Sequence, residues 1–202
     1  MSGDGLGNAA DRKARIREEV KRRLESLDDA YLERASETIL EKILSTLWWS
    51  EAEFVLTYLS TDTEVSTDRM VDEAYRAGKK VGVPCISGKH LIFFPVNPES
   101  ELTRNRYGIR EPFRDQMPFD ASAIRGSKVL LVVPGVAFDR RRRRLGRGGG
   151  YYDRYIRLLR DEPDLSLTTV GVFFHVQMRK ELPVDAWDEP LDAVVTESEI
   201  IG

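Results

Sequence analysis

Apolar residues first settle into a helical rhythm after Asp11. Ile16, Val20, Leu24 and Leu27 fall at i, i+4, i+8 and i+11, which is one stripe of an amphipathic helix. The opposite face is assigned Lys13, Arg15, Arg17, Lys21, Arg22 and Arg23. A second helix is predicted from Asp29 to Leu47, with Leu32, Ala35, Ile39, Ile43 and Leu47 inward and Trp48 and Trp49 closing it. The period then shortens. Phe54 to Leu59 is a strand-sized apolar run, followed by the polar loop Ser60 to Ser66. Thr67 to Ala77 reads as a helix capped by Gly78. Short strands follow at Lys80 to Val83, closed by Pro84, and at Leu91 to Val96. Residues 97–125 are rich in loop signals. Lys128 to Val133 is apolar almost throughout, as a strand buried on both faces must be. A helix over Gly150 to Arg160 and strands at Thr169 to Phe174 and Leu191 to Thr196 complete the pattern.

Strands that alternate with helices, several of them apolar on both faces, predict an α/β fold. The expected architecture is a single-domain three-layer α/β/α arrangement. Its sheet is mostly parallel and Rossmann-like, and the two N-terminal helices pack on it. Residues 1–10 are small and polar and read as a disordered tail, leaving 11–202 as the domain.

Composition narrows the classes. Of 202 residues, 41% are apolar and 32% charged, with a net charge of -3, so binding of an anion must come from local clustering. Cys85 is the single cysteine, which excludes an internal disulfide and a cysteine-rich metal site. The N-terminal residues contain no apolar stretch of the signal-peptide kind, and no apolar run reaches membrane-spanning length. The protein is therefore expected to be cytoplasmic and free of membrane, in the reducing compartment that such cysteine usage implies.

The one segment with unusual chemistry is Arg140-Arg-Arg-Arg-Arg-Leu-Gly-Arg-Gly-Gly-Gly-Tyr-Tyr-Asp153. Glycines that precede a helix let backbone N–H groups approach a ligand, and the helix N-terminus adds positive partial charge; together these suit phosphate. No Gly-Lys-Ser/Thr follows, so it is not a Walker loop, and its spacing is not that of a dinucleotide fingerprint. Composition alone leaves three readings open: a solvated basic hairpin, a nucleic-acid clamp, or one wall of a phosphate site.

The longer string resolves this by resemblance. Val133-Pro-Gly-Val-Ala-Phe-Asp139 followed by Arg144-Leu-Gly-Arg-Gly-Gly-Gly-Tyr-Tyr-Asp153 resembles the signature of the 5-formyltetrahydrofolate cyclo-ligase family. Weaker matches occur in order: Lys13-Ala-Arg-Ile-Arg17, Tyr58-Leu59 with Glu64, Gly78 to Pro84, Tyr107 to Pro112, and Leu182 to Asp188 with Leu191-Asp192. The resemblance implies ATP-dependent closure of 5-formyltetrahydrofolate to 5,10-methenyltetrahydrofolate, with release of ADP and phosphate. Phosphorylation of the formyl oxygen turns a poor leaving group into a good one, and N10 then closes the ring. Such a transfer needs positioning and charge neutralisation more than covalent help.

The resemblance also implies roles. Lys13 and Arg17, four apart on one helix face, match contacts to ATP phosphates. Arg144, Leu145, Gly146, Arg147, Gly148, Gly149, Gly150, Tyr151 and Tyr152 match the ATP-binding segment, and Arg147 to Tyr151 also approach the folate. Leu59 and Glu64 match folate contacts, Glu64 toward the donor edge of the pterin. Asp153 and Asp188 match positions for Mg²⁺, which takes one or two carboxylates with phosphate and water. Taken singly, each has an ordinary explanation: a solvated cation, a core leucine or tyrosine, a first-turn helix acid, a loop acid. Asp185 is a rival to Asp188, which the resemblance favours because its place four before Asp192 matches the family spacing. Glu111 is a weaker candidate.

One departure is Arg142, where the family carries glycine; a distorted or disordered tip is expected there, with extra charge for ATP or a polyglutamate tail. His90, His175 and Cys85 are assigned structural roles. The expected partners are 5-formyltetrahydrofolate and Mg-ATP, acting on a monomer with no nucleic acid. The competing classes are another phosphate-binding enzyme on the same general fold and a non-catalytic nucleic-acid binder using the arginine run.

Overall fold

The computed structural model describes residues 8–61, 63–104, 110–112 and 117–202. Residues 1–7 of the expected tail and residues 107–109 of the Tyr107 to Pro112 stretch lie outside them. The chain runs α1 (Ala9–Glu25), α2 (Asp29–Leu44), α3 (Leu47–Glu51), β1 (Phe54–Leu56), α4 (Asp68–Arg76), β2 (Lys80–Ser87), β3 (His90–Val96), β4 (Leu102–Arg104) and β5 (Arg110–Pro112). It continues through β6 (Lys128–Val133), β7 (Ala137–Asp139), β8 (Arg144–Leu145), α5 (Tyr151–Arg160), β9 (Ser166–Val172), a 3₁₀ turn (His175–Gln177), β10 (Met178–Arg179), β11 (Ala193–Val195) and β12 (Ile200–Ile201).

Seven strands form the main sheet in the order β12-β11-β9-β6-β1-β2-β3. The five inner strands are parallel; β12 and β3 are antiparallel edges. Alternation along the strands divides the core. Val55, Leu130 and Val132 face a layer made with α1, α2 and α4 through Val20, Ile39, Ile43 and Met70. Phe54, Leu56, Val129, Leu131 and Val133 face the other layer, with Ile156 and Leu159 of α5 and Ile124. Both faces of the sheet are thus covered, as near-continuous apolar strands require. The three-layer α/β/α architecture with the N-terminal helices packed on the sheet is the one the sequence predicts.

Several local expectations change. α1 starts at Ala9, two residues before Asp11, with the Asn8 side chain accepting from the Asp11 N–H. α2 stops at Leu44 because Thr46 caps a separate short helix, so Trp48 and Trp49 belong to α3 and Leu47 is 74% exposed. Pro84 does not close β2. It pairs with Phe93 past the residues that pair with β1, and the strand continues to Ser87. The glycine segment is reached through a β7–β8 hairpin whose strand β7 also pairs with β10.

The Arg142 turn is formed and held, contrary to the expected disordered tip. Arg142 takes a left-handed φ of 59°, the conformation that glycine would adopt most readily. Its N–H donates to Asp139 O, and its carbonyl accepts from the Leu191 N–H. Below it the fully buried Asp139 accepts from the N–H groups of Arg141, Arg143 and Leu182 and from Arg143 Nε.

Candidate functional site

β1 and β6 are neighbours, yet the chain leaves them in opposite directions, toward β2 on one side and β9 on the other. In an open parallel sheet a crevice opens at the carboxyl ends of strands at such a switch point. Here it is occupied by Tyr58 and Leu59 after β1 and by Pro134 and Gly135 after β6. They line a cavity of about 200 Å³ with Thr61, Glu64, Pro84, Ile86, Leu91, Arg144, Gly146, Arg147, Gly150, Tyr151, Tyr152 and Asp153. Its walls are mostly apolar and aromatic. A second cavity of about 310 Å³ shares Glu64, Gly135 and Arg147 with the first and is bounded by Arg17 and Lys21 of α1, with Glu25, Thr63 and Gln177.

The glycine segment runs between them. Gly148 has φ 106° and Gly150, the residue capping α5, has φ 62°, so the chain turns where L side chains rarely go. Arg17 Nε donates to Gly146 O at 2.8 Å, and Arg154 Nη2 donates to Gly149 O at 3.0 Å while its guanidinium lies 5.2 Å from the Tyr151 ring centroid. Arg147 Nη2 donates to Glu64 Oε1 at 2.8 Å and to Thr61 Oγ1 at 3.2 Å. Glu64 Oε2 in turn accepts from both the N–H and the hydroxyl of Thr61. This Arg147–Glu64 pair is the common wall of the two cavities.

Three carboxylates gather on the same side. Asp153, in the first turn of α5, accepts from Arg144 Nη2 at 2.8 Å and from the Glu189 N–H at 3.3 Å. Asp188, one residue before that amide, accepts from Lys13 Nζ at 2.7 Å, and Lys13 also reaches Asp185 at 2.8 Å. The Asp188 carboxylate further accepts from the Asp185 N–H at 2.9 Å. Burial opposes the Lys13 charge, but the hydrogen bonds and charges of Asp185 and Asp188 outweigh it and hold the ammonium above its ordinary value. Tyr58, buried and donating to Val65 O, is pushed well above the usual phenol range by that burial and then by the Glu64 charge.

Would Mg²⁺ fit? Among the described residues no group of three or more His, Cys, Asp or Glu is arranged to hold a metal. One or two hard carboxylates are nevertheless what Mg²⁺ ordinarily uses together with phosphate and water. Asp153 and Asp188 each bind their partners here through a single oxygen, Oδ1 and Oδ2 respectively, which leaves the other oxygen of each without a hydrogen bond among the described residues. The donor chemistry fits.

The structure therefore gathers Leu59, Glu64, Arg144, Gly146, Arg147, Gly150, Tyr151, Tyr152 and Asp153 around one cavity. Arg17 lies at the adjoining cavity, and Lys13 and Asp188 lie next to Asp153 through Glu189. Leu145 is a buried strand residue, and Gly148 and Gly149 form the turn without lining either cavity. The placement of Lys13 and Arg17 on the face opposite the apolar stripe needs correction: Lys13 is 9% exposed and both point inward, because 13, 17, 20 and 24 form one stripe with Val20 and Leu24. Reading the leucines first hid two cations on the same stripe. The sequence reading also missed Thr61, Gly135 and the joint role of Asp185. Gly135 could have been found from its place straight after the most apolar strand; a Cβ there would meet Phe173 at 2.8 Å and Arg144 Cγ at 2.9 Å.

Fold and site together define an α/β class with a glycine-rich loop at the sheet's switch point. Comparison with known proteins makes the class particular. Residues 9–197 match the model of the 5-formyltetrahydrofolate cyclo-ligase family, and the chain belongs to that family. It is 38% identical over 155 residues to the 5-formyltetrahydrofolate cyclo-ligase of Escherichia coli K12, covering 74% of this chain and 80% of the relative. A probable 5-formyltetrahydrofolate cyclo-ligase of Schizosaccharomyces pombe is 32% identical, covering 94% of this chain and 97% of the relative. Among solved structures, the 5,10-methenyltetrahydrofolate synthetase of Aquifex aeolicus matches with TM-score 0.77 and 28% identity over 93% of this chain and 91% of the other. The family membership and the enzyme class are those that the sequence resemblance implies.

Proposed function

We propose that this chain converts 5-formyltetrahydrofolate to 5,10-methenyltetrahydrofolate at the expense of ATP. The observation that carries the reading is the pair of cavities of opposite character that share the Arg147–Glu64 wall. The apolar one, with Leu59, Tyr151 and Tyr152, suits a flat pterin whose donor edge meets Glu64. The other, beside Arg17 and Lys21, suits a triphosphate. The two substrates then meet at the glycine segment.

The formyl oxygen attacks the γ-phosphorus as the bond to the β-bridging oxygen breaks and ADP leaves. The resulting iminophosphate carbon is attacked by N10; the C–O bond breaks, phosphate departs, and N10 loses its proton. Arg17, Arg147 and Lys13 neutralise phosphate charge, and backbone N–H groups of Gly146 to Gly150 position the transferring group. Asp153 and Asp188 would hold Mg²⁺, which would supply further positive charge to offset that of the phosphates. Lys13, held beside Asp188 and Asp185, is within reach of the same phosphates. The protein works as a monomer in the cytoplasm. Nucleic acid is not among its partners, because the arginine run is engaged within the fold: Arg140 with Glu199, Arg143 with Asp139 and Glu181, and Arg142 with Leu191 O. Among the described residues no helix is long and apolar enough to cross a membrane.

Substrate-selective kinetics test the division. Glu64→Gln is expected to raise KM for the folate at least tenfold with KM for ATP within twofold, and Arg17→Gln to do the reverse. Equal effects of both variants on both constants would contradict two separate chambers.

A further inference from the structure

A third concavity lies outside this machinery, near the far end of α1. It is about 490 Å³ and lined by Arg23, Arg140, His175, Val176, Met178, Arg179 and Lys180. Arg23 is ten positions beyond Lys13, roughly 15 Å along the helix axis. None of these seven residues lines either of the two cavities described above.

The charge here is not balanced. Glu19 serves two guanidiniums, Arg23 at 2.6 Å and Arg179 at 3.6 Å. Arg140 has its own partner in Glu199, whereas Lys180 has no carboxylate within 4.0 Å among the described residues. Arg179 is the unusual member. Its side chain is 13% exposed, and Nη1 donates to the carbonyls of Val176 and Met178. Nε and Nη2 are buried and make no hydrogen bond among the described residues, and His175 Nδ1 is likewise unsatisfied there. A buried guanidinium with two unused donors is costly unless something else completes it. Of the other acids nearby, Glu197 is engaged by the His175 N–H and the Tyr31 hydroxyl, and Glu181 pairs with Arg141 and Arg143.

We propose that this cleft is a second anion site, which takes a phosphate or diphosphate group of a small molecule. Two uncompensated cations and unfilled guanidinium donors match a multiply charged oxyanion better than a single carboxylate. The site is independent of the reading of the folate cavity, because it uses none of its residues.

The test is a titration of the isotopically labelled full chain with inorganic phosphate and with pyrophosphate, followed by backbone amide shifts. Saturable shifts are expected at residues 175–180, and they should persist in the Arg17→Gln variant, where shifts at 146–150 weaken. Lys180→Glu, an exposed reversal that leaves the Arg179 supports intact, should weaken the 175–180 response at least tenfold and change kcat by less than twofold. Arg179→Gln should do the same if it folds. Absence of saturable shifts at 175–180, or an unchanged response in Lys180→Glu, would overturn the proposal. So would displacement of pyrophosphate from 175–180 by a short single-stranded oligonucleotide at far lower concentration, which would assign the cleft to a polymer backbone.

Discussion

Arg144 illustrates how single residues carry both fold and site. It is 8% exposed, its Nη2 ends on Asp153, its Nη1 reaches Pro134 O at 3.4 Å, and its guanidinium lies 5.7 Å from the Tyr152 ring centroid. Removing one member of a buried ion pair strands the other charge, at a cost of about 3–5 kcal/mol. Arg144→Met is therefore expected to lower urea stability by about 3 kcal/mol and to abolish turnover, whereas Arg157→Met, on the exposed face of α5, should cost under about 1 kcal/mol. Tyrosines give a pH prediction at the same scale. Burial raises the pKa of Tyr58 and Tyr155 above the ordinary value. A raised acid keeps its proton in the fold after the unfolded chain has lost its own. Its contribution is thus complete below about pH 10 and is lost as pH rises beyond it. The urea midpoint should fall steeply above about pH 10. Tyr155→Phe should flatten that fall at little cost near neutrality, because the Tyr155 hydroxyl has no hydrogen-bond partner among the described residues. A midpoint that declined identically in both proteins would argue against this origin.

At the scale of elements, the glycine segment and the arginine turn differ in what they demand. Gly148, at φ 106°, has no comfortable L-residue alternative, so Gly148→Ala should reshape the turn against Arg17 and cost at least tenfold in kcat/KM for ATP. Arg142 already occupies the left-handed region that glycine adopts most readily. Arg142→Gly trades relief of that strain against greater unfolded-state freedom and the loss of the Nε bond to Leu191 O, leaving stability within about 1 kcal/mol. Wild-type kinetics in this variant would mark the turn as scaffold. These cases also show how far local sequence can be read. The apolar strands and most helix cores were legible because burial on two faces dictates an apolar run and burial on one face dictates a stripe. The stop of α2 was not, since a Thr46 cap inside an apolar region decides it. Nor was the inward course of Lys13, which only the carboxylates at 185 and 188, brought from the other end of the chain, can stabilise.

For the whole molecule, the site is the product of topology. Its residues come from α1, the loop after β1, the loop after β6, the start of α5 and the stretch before β11. They converge because β1 and β6 lie side by side where strand order reverses. Periodicity foretold the layers, and the glycine motif foretold the family. The pairing of Arg147 with Glu64 across 83 positions was beyond either. The central claim is that this convergence performs ATP-driven ring closure. Incubation of the purified chain with 5-formyltetrahydrofolate and Mg-ATP tests it most directly, with methenyltetrahydrofolate absorbance and ADP followed together. Product and ADP are expected in equal amounts, with the rate reduced at least a hundredfold in Asp188→Asn. Absence of methenyltetrahydrofolate at every enzyme concentration, or its formation without ADP, would contradict it.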